Sequence, residues 1–291
     1  MKNITDVKIE YFVTNGRNYP EYNFKVYTDI TDFGKISGHR FVSLVDYDSP
    51  YENDLSMLLQ FIGRSPFIEN DYMKVGSALE LSIIKASERQ FGISNVKHGF
   101  GFEDLKNGTD DFHFIRDLMF EENGQSMIGE VKTFYNKNKI GLSDDNPLPK
   151  PHISWWLQTR LEVEILNKPA RIFYYYVTPT TKNAVLKGRP ITIKPKYLFM
   201  SDVIEPTEEK EEVIESYFSE LGFTRFSELM EYALYRQEDL MDNYYEDQKG
   251  CFYYVKVPIK APWYGSKNHV EQFLEDISTQ IKVEEIEHEN K

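Results

Sequence analysis

Glu130, Val131 and Lys132 fall within Gln125–Phe134, a stretch that reads as a strand. Residues two apart in a strand share a face, so Glu130 and Lys132 point the same way. Asn123-Gly124, just before, has the composition of a two-residue type I′ turn. Such a turn sets Glu122 opposite Gln125 and, carried down the hairpin, Asp117 opposite Glu130, with Cβ atoms about 4.5–5.5 Å apart. Two carboxylates so placed repel. A divalent cation is the simplest compensation, because carboxylate oxygens suit Mg²⁺ or Mn²⁺. Lys132, on the same face, then orients an attacking water or helps to deprotonate it. The alternative is an exposed face on which Lys132 simply neutralises the pair.

Two helical positions extend the set. Glu80 closes the stretch Gly76-Ser77-Ala78-Leu79-Glu80, and its helical neighbours are Gly76, Ile83 and Ile84. A carboxylate on so small and apolar a face is unfavourable unless it is paired or metal-bound. Gly76, costing about 1 kcal/mol against alanine inside a helix, points to a close approach to the backbone. Gln158 sits at the edge of the Leu157, Leu161 and Ile165 stripe, with Trp155 and Glu162 beside it. An amide there can hold a water or contact a phosphate.

These residues need elements to hold them. Asn70-Asp71 caps a predicted helix through Val75, Leu79, Ile83 and Ala86, with Gly92 as its stop. Ile93–Phe102, Asp111–Phe120 and Gln125–Phe134 read as an antiparallel meander with Asn-Gly signals at both turns, the first at Asn107-Gly108. A polar loop, Asn136–Pro151, leads to a second helix, His152–Asn167. Arg171–Val177 is an almost continuous apolar run, as in a strand covered on both faces. The order is helix, three strands, helix, strand. Before it, Val7–Val13 and Tyr22–Tyr27 alternate as strands, and a short helix is expected from Asn53 to Phe61. After it come an acidic link at Glu205–Glu212 and helices near Lys210–Leu221 and Phe226–Asp242. A strand at Cys251–Ile259, a helix at His269–Ile281 and a charged tail at Val283–Lys291 complete the chain. The division expected is a β-rich extension (1–69), a core (70–200) and a mostly helical extension (201–291).

A helix with Gly-X-X-X-Glu, a strand with Asp, a strand with Glu-X-Lys and a helix with Gln resemble, in that order, the PD-(D/E)XK nuclease superfamily. The likeness is to its lambda-exonuclease, YqaJ-like and RecB-like branches, and it covers Asp71–Thr178. Glu80 matches the helix acid, a histidine in many RecB-like members, and Asp117 the central aspartate. Glu130 and Lys132 match the Glu-X-Lys pair, flanked by Gly129 and Thr133, and Gln158 matches the glutamine of the following helix. There are departures. No Pro-Asp precedes the hairpin, and Asp111, in Thr109-Asp110-Asp111-Phe112, is a rival for the aspartate role. By parity it shares a strand face with Asp117, although the register sets it opposite Asn136. Glu162 stands where RecB-like members often carry tyrosine.

The resemblance implies a restriction-endonuclease-like α/β (α+β) core, a mixed central sheet flanked by helices in the order αβββαβ. It also implies Mg²⁺- or Mn²⁺-dependent hydrolysis of DNA phosphodiesters. Glu80, Asp117, Glu130 and the backbone carbonyl of Val131 would be the metal ligands, with Lys132 and Gln158 completing the catalytic set. A phage or recombination-type exonuclease leads. A sequence-specific restriction-type endonuclease and an inactive nuclease-fold DNA-binding or scaffold protein are the alternatives. A second copy of the chain or a recombination protein is an open partner.

Composition bounds these readings. Across 291 residues, 41% are hydrophobic and 15% aromatic, enough for a sizeable core and too much for a disordered chain. One cysteine, Cys251, excludes a disulfide framework within the chain and a thiolate metal cage, and suits a reducing cytoplasm. No apolar stretch reaches the roughly 18 residues that span a bilayer, and the polar, acidic start Met1–Asp6 argues against a signal peptide. A cytoplasmic protein is expected. The net charge of −13 argues against unspecific attraction to nucleic acid. DNA binding then requires bound cations or a local basic segment, for which Lys137 and Lys139 are the candidates. Trp155, Trp156 and Phe173–Tyr176 read as core rather than as base-stacking platforms.

Overall fold

The computed structural model describes residues 7–45, 53–65, 70–99, 106–136, 152–207, 209–258 and 269–287. The first elements are β1 (Lys8–Asn15), β2 (Pro20–Tyr27), β3 (Ile36–Ser37), α1 (Gly38–Val45) and α2 (Asp54–Phe61). Next come α3 (Asp71–Phe91), β4 (Ser94–His98), β5 (Lys106–Gly108), β6 (Phe112–Ile115), β7 (Leu118–Glu122) and β8 (Gln125–Phe134). They are followed by α4 (Ile153–Leu166), β9 (Ala170–Tyr176), α5 (Pro179–Leu186) and β10 (Leu198–Met200). The last are α6 (Glu212–Tyr217), α7 (Phe226–Asp242), β11 (Tyr244–Asp247), β12 (Gly250–Pro258), α8 (His269–Ile277) and β13 (Lys282–Glu285). They fall into two compact units, one of residues 1–35, 43–67 and 211–291, the other of 36–42 and 68–210.

In the first unit a five-stranded sheet has the order β11-β12-β2-β1-β13. It joins the two ends of the chain, which the sequence reading treats as separate extensions. The segment from Val283, expected to be a charged tail, instead begins within β13, which pairs in parallel with β1, Ile9 opposite Val283. β12 is the strand expected at Cys251–Ile259, and β11, which pairs with it as a hairpin, adds a strand to a region expected to be mostly helical. Polar and acidic residues on an exposed edge strand hide the alternation by which a strand is recognised.

In the second unit the main sheet has the order β10-β9-β8-β7-β4. β9 runs parallel to β8 and the other neighbours are antiparallel, so the sheet is mixed. Successive residues of β9 face opposite sides. Tyr175 and Val177 pack with Val75, Leu79 and Ile83 of α3, while Ile172 and Tyr174 pack with Val163 of α4. The two helices therefore cover opposite faces, which is why the run from Ile172 to Tyr175 is apolar throughout. Trp155 lies against Phe134 and Tyr174, with ring centroids 6.4 and 6.3 Å apart, and is part of that packing.

Local chemistry sets the ends of these helices. The Asn70 side chain accepts from the backbone N–H groups of Tyr72 and Met73 at the start of α3, and Gly92 closes it at φ +70°. The His152 ring caps α4, and Asn167 ends it in a left-handed conformation. Asn123 and Gly124 both have positive φ, so the turn between β7 and β8 pairs Glu122 with Gln125 and Leu118 with Gly129.

The meander departs from its sequence outline in two places. Asp111–Phe120 is not one strand: β6 leaves the main sheet for a three-stranded one of order β3-β6-β5, and the break falls at Arg116-Asp117. Every second residue from Phe112 to Phe120 is buried across that break, so the alternation carries no sign of it. Asn107-Gly108 lies at the end of β5 rather than in a turn. The chain turns just after it, where Thr109 Oγ1 accepts from the N–H groups of Asp111 and Phe112.

Candidate active site

The strand β8 outlasts its partner. Pairing with β7 ends at Leu118 and Gly129, leaving the N–H of Val131 beyond the ladder. Asp117, the residue just before β7, supplies the missing acceptor: its Oδ2 lies 2.7 Å from that N–H. The break that ends the ladder thus leaves Asp117 beside Glu130, held by a backbone bond.

Glu130 and Lys132 share the face covered by α4, the face on which Ile128 and Phe134 pack. Lys132 Nζ lies 2.5 Å from Glu130 Oε1 and donates to Gln158 Oε1 at 3.0 Å. Gln158 Nε2 donates to the same Glu130 Oε1 at 2.9 Å. The amide thus reads both partners in one orientation and closes a triangle. A Cβ on Gly38, at the start of α1, would stand 2.9 Å from Gln158 Cγ, so the absence of a side chain there lets the glutamine occupy its place. Glu130 is only 3% exposed, and its other oxygen, Oε2, is buried without a hydrogen-bond partner among the described residues.

Glu80 lies on α3, which covers the opposite face of the sheet, and feels the charges of Glu130 and Lys132. One turn before it, a Cβ on Gly76 would stand 3.2 Å from Thr133 Oγ1; the close approach signalled by that glycine is to β8. Burial, and then the charge of Glu130, raise the Glu80 pKa, while His98 and Lys132 oppose the shift. Burial raises Asp117 well above the usual carboxylate range, reinforced by Glu130 and opposed by Lys132 and the Val131 N–H. For Lys132, burial favours the neutral amine, but Glu130 and Asp117 outweigh it and the pKa is raised. The ammonium is therefore held as a cation by the acids around it.

Asp111 stands apart. It is exposed, it precedes β6 in the smaller sheet, and its backbone carbonyl accepts from Ile36. It shares neither strand nor sheet with Glu130. Lys137 and Lys139 lie outside the described residues. Two charged residues that the sequence reading gave no role also belong to this neighbourhood. Glu162, one helical turn beyond Gln158, is 2% exposed, and Arg116, at the strand break, is 4% exposed. The signal for Glu162 was available, a carboxylate between the apolar Leu161 and Val163 on the face that carries Gln158. Nothing in the sequence marks Gly38 or Arg116.

The donor set suits a hard divalent cation. It consists of carboxylate and backbone carbonyl oxygens, and a buried carboxylate oxygen of Glu130 has no partner among the described residues. Among the described residues, no three carboxylate, imidazole or thiol groups converge closely enough to hold an ion as they stand. Lys132 and Gln158 engage one oxygen of Glu130, and Val131 one oxygen of Asp117. The chemistry of the acids fits a cation, and the positive charge now among them is the Lys132 ammonium.

Among solved structures, the chain is similar to LHK-Exo in complex with dAMP, with 15% identity over 71% of this chain and 93% of that one and a TM-score of 0.39. It is also similar to a phage-related exonuclease from Haemophilus somnus 129PT, with 14% identity over 72% of this chain and 96% of that one and a TM-score of 0.48. No family model matches the chain, and no curated protein does. The main sheet is mixed, with helices on both faces and the order helix, three strands, helix, strand. That is the mixed α/β arrangement, a central sheet flanked by helices, implied by the sequence resemblance. Among the described residues, no helix is long and apolar enough to cross a membrane.

Proposed function

We propose that the chain is a divalent-cation-dependent deoxyribonuclease that hydrolyses phosphodiester bonds, of the exonuclease type. The observation that carries this reading is the closed triangle of Glu130, Lys132 and Gln158, with Asp117 fixed beside it by the Val131 N–H. A surface ion pair needs no amide bridging both its members and no buried, unpartnered carboxylate oxygen. A site that gathers cation and phosphate uses both.

Asp117, Glu130, Glu80 and the Val131 carbonyl would hold Mg²⁺ or Mn²⁺. Such an ion, when bound, supplies a water of lowered pKa and neutralises charge on the scissile phosphate. The protein's own groups do the rest. Lys132, kept cationic by its acids, places a positive charge where negative charge develops as water oxygen attacks phosphorus. Gln158 fixes both Glu130 and Lys132, so neither must reorganise. Asp117 cannot swing freely while Val131 holds one of its oxygens.

The test is digestion of end-labelled linear duplex beside a closed circle, with and without Mg²⁺. The expected result is Mg²⁺-dependent shortening of the linear DNA from its ends, with the circle left intact. Lys132→Ala should reduce that rate by about 10²–10³-fold, the scale of removing one charge-stabilising donor, with an unchanged circular dichroism spectrum. Undiminished turnover in this variant would remove the assignment from this site. Cutting of the circle at discrete positions would favour the restriction-type reading, and binding without cutting the scaffold reading.

A further inference from the structure

Glu162 lies one turn after Gln158 on α4, and side chains four apart on a helix stand one above the other. Gln158 touches Glu130 at 2.9 Å, so Glu162 is on the face of α4 that covers the site. It is 2% exposed, and its Oε1 is buried with no hydrogen-bond partner among the described residues. Glu130 Oε2 is in the same condition. The charges that act on Glu162 are the carboxylates of Glu130 and Asp117, opposed by Lys132 and Arg116. Burial, and after it these carboxylates, raise its pKa well above the usual range.

A carboxylate buried for structural reasons is normally met by hydrogen-bond donors on both oxygens. The structure contains an instance of this: Glu10, 2% exposed, accepts from Lys8 on Oε1 at 2.7 Å and from Tyr27 on Oε2 at 3.3 Å. Glu162 and Glu130 differ from it, each presenting an unmatched oxygen on the same covered face. Together with Glu80 and Asp117 they make four acids, against Lys132 and Arg116 as the full cations that act on them among the described residues. The deficit is of positive charge, and oxygen donors are what a hard divalent ion takes.

We infer that Glu162 is a further member of the cation-holding set, its free oxygen serving a divalent ion together with Glu130 on the α4 face of the sheet. The inference rests on the metal-dependent reading proposed above and assigns to that site an acid additional to Glu80, Asp117 and Glu130.

Mn²⁺ binding, followed by calorimetry and by the electron paramagnetic resonance signal of the free ion, tests it without reference to activity. The expected result is that Glu162→Gln loses one bound Mn²⁺ or binds at least tenfold more weakly than the unsubstituted protein. Without metal it should melt no lower, because the amide keeps the shape and removes a buried charge. Glu162→Asp, which keeps the charge but withdraws the oxygens by one methylene, is the second variant and should also weaken binding. Wild-type stoichiometry and affinity in either folded variant would overturn the inference and leave the metal reading standing. If the unsubstituted protein takes up no Mn²⁺, the metal reading fails and this inference with it.

Discussion

Asp117 commits one carboxylate oxygen to the Val131 N–H, so that structural role can be separated from its proposed role as a cation ligand. In Asp117→Asn the amide oxygen still accepts from Val131, and the fold should hold while the charge is lost. Mn²⁺ affinity measured by calorimetry should then fall by at least about tenfold, the lower end of what disturbing a metal's supporting shell costs. Asp111→Asn, exposed and in the other sheet, should bind as the unsubstituted protein does; the reverse pattern would move the aspartate role to Asp111. The same acids set a pH dependence. Asp117, Glu162 and Glu80 have pKa values raised first by burial and then by their neighbours' charge. Their contribution to stability is fully present below the unfolded-state pKa, about 4, and is lost as pH rises through the raised folded values. Glu284 behaves oppositely. Hydrogen bonds and ion pairs with Lys282 and Lys8 lower it to about 2, so its contribution is present above the unfolded-state value of about 4 and is lost as pH falls through the folded one. A bound divalent ion reverses the penalty only where the acids are ionised. The rise in melting temperature on adding Mn²⁺ should therefore be larger at pH 8 than at pH 5, and an equal rise would show that the ion binds elsewhere.

At the scale of elements, two glycines that look alike in sequence have different work. A Cβ on Gly129 would stand 2.8 Å from Leu118 Cδ2 and 3.1 Å from Phe173 Cε2, and both of those side chains are fully buried. Neither can yield, so Gly129→Ala should cost about 1–3 kcal/mol by overpacking. Gly76→Ala meets only Thr133 Oγ1, at 3.2 Å, on a half-buried side chain. There the gain of about 1 kcal/mol from replacing a helical glycine should offset the crowding and leave stability nearly unchanged. Urea denaturation of the two variants checks the contrast; equal losses would mean that α3 cannot shift against β8. What the sequence made legible follows the same physics. The Asn123-Gly124 turn has a single favoured geometry, so the register of β7 on β8 could be read from it. The capped ends of α3 and the doubly covered β9 are local signals of the same kind. The transfer of β6 to another sheet is not local: Phe112, Phe114, Leu118 and Phe120 are buried in unbroken alternation across the break. Glu162 can be placed beside Gln158 from the sequence but not given a role, because the burial of a helical carboxylate follows from what packs against it.

The whole molecule carries a net charge of −13, which opposes DNA at long range. The β1–β13 sheet adds little to offset this, since Lys8 pairs with Glu10 and Glu284, Lys249 with Glu10, Lys256 with Glu21 and Lys282 with Glu284. Productive binding by the proposed nuclease should then depend on the metal and on a few local cations, with Lys137 and Lys139 as the proposed backbone contacts. On duplex DNA, each neutralised phosphate contributes a slope of about −0.9 to the dependence of log affinity on log salt. A set of about two to four such contacts gives a shallow slope, against the roughly −10 of a strongly basic binder. Ca²⁺, which should occupy the carboxylates with little cleavage, makes the measurement possible at equilibrium. Removing Ca²⁺ should weaken binding more than a twofold increase in salt does, and Lys137→Ala with Lys139→Ala should flatten the slope by up to about two units. Binding that survives metal removal but collapses with salt would place the DNA on a basic surface away from the carboxylates. The acidic cluster would then have to be explained by something other than phosphate chemistry.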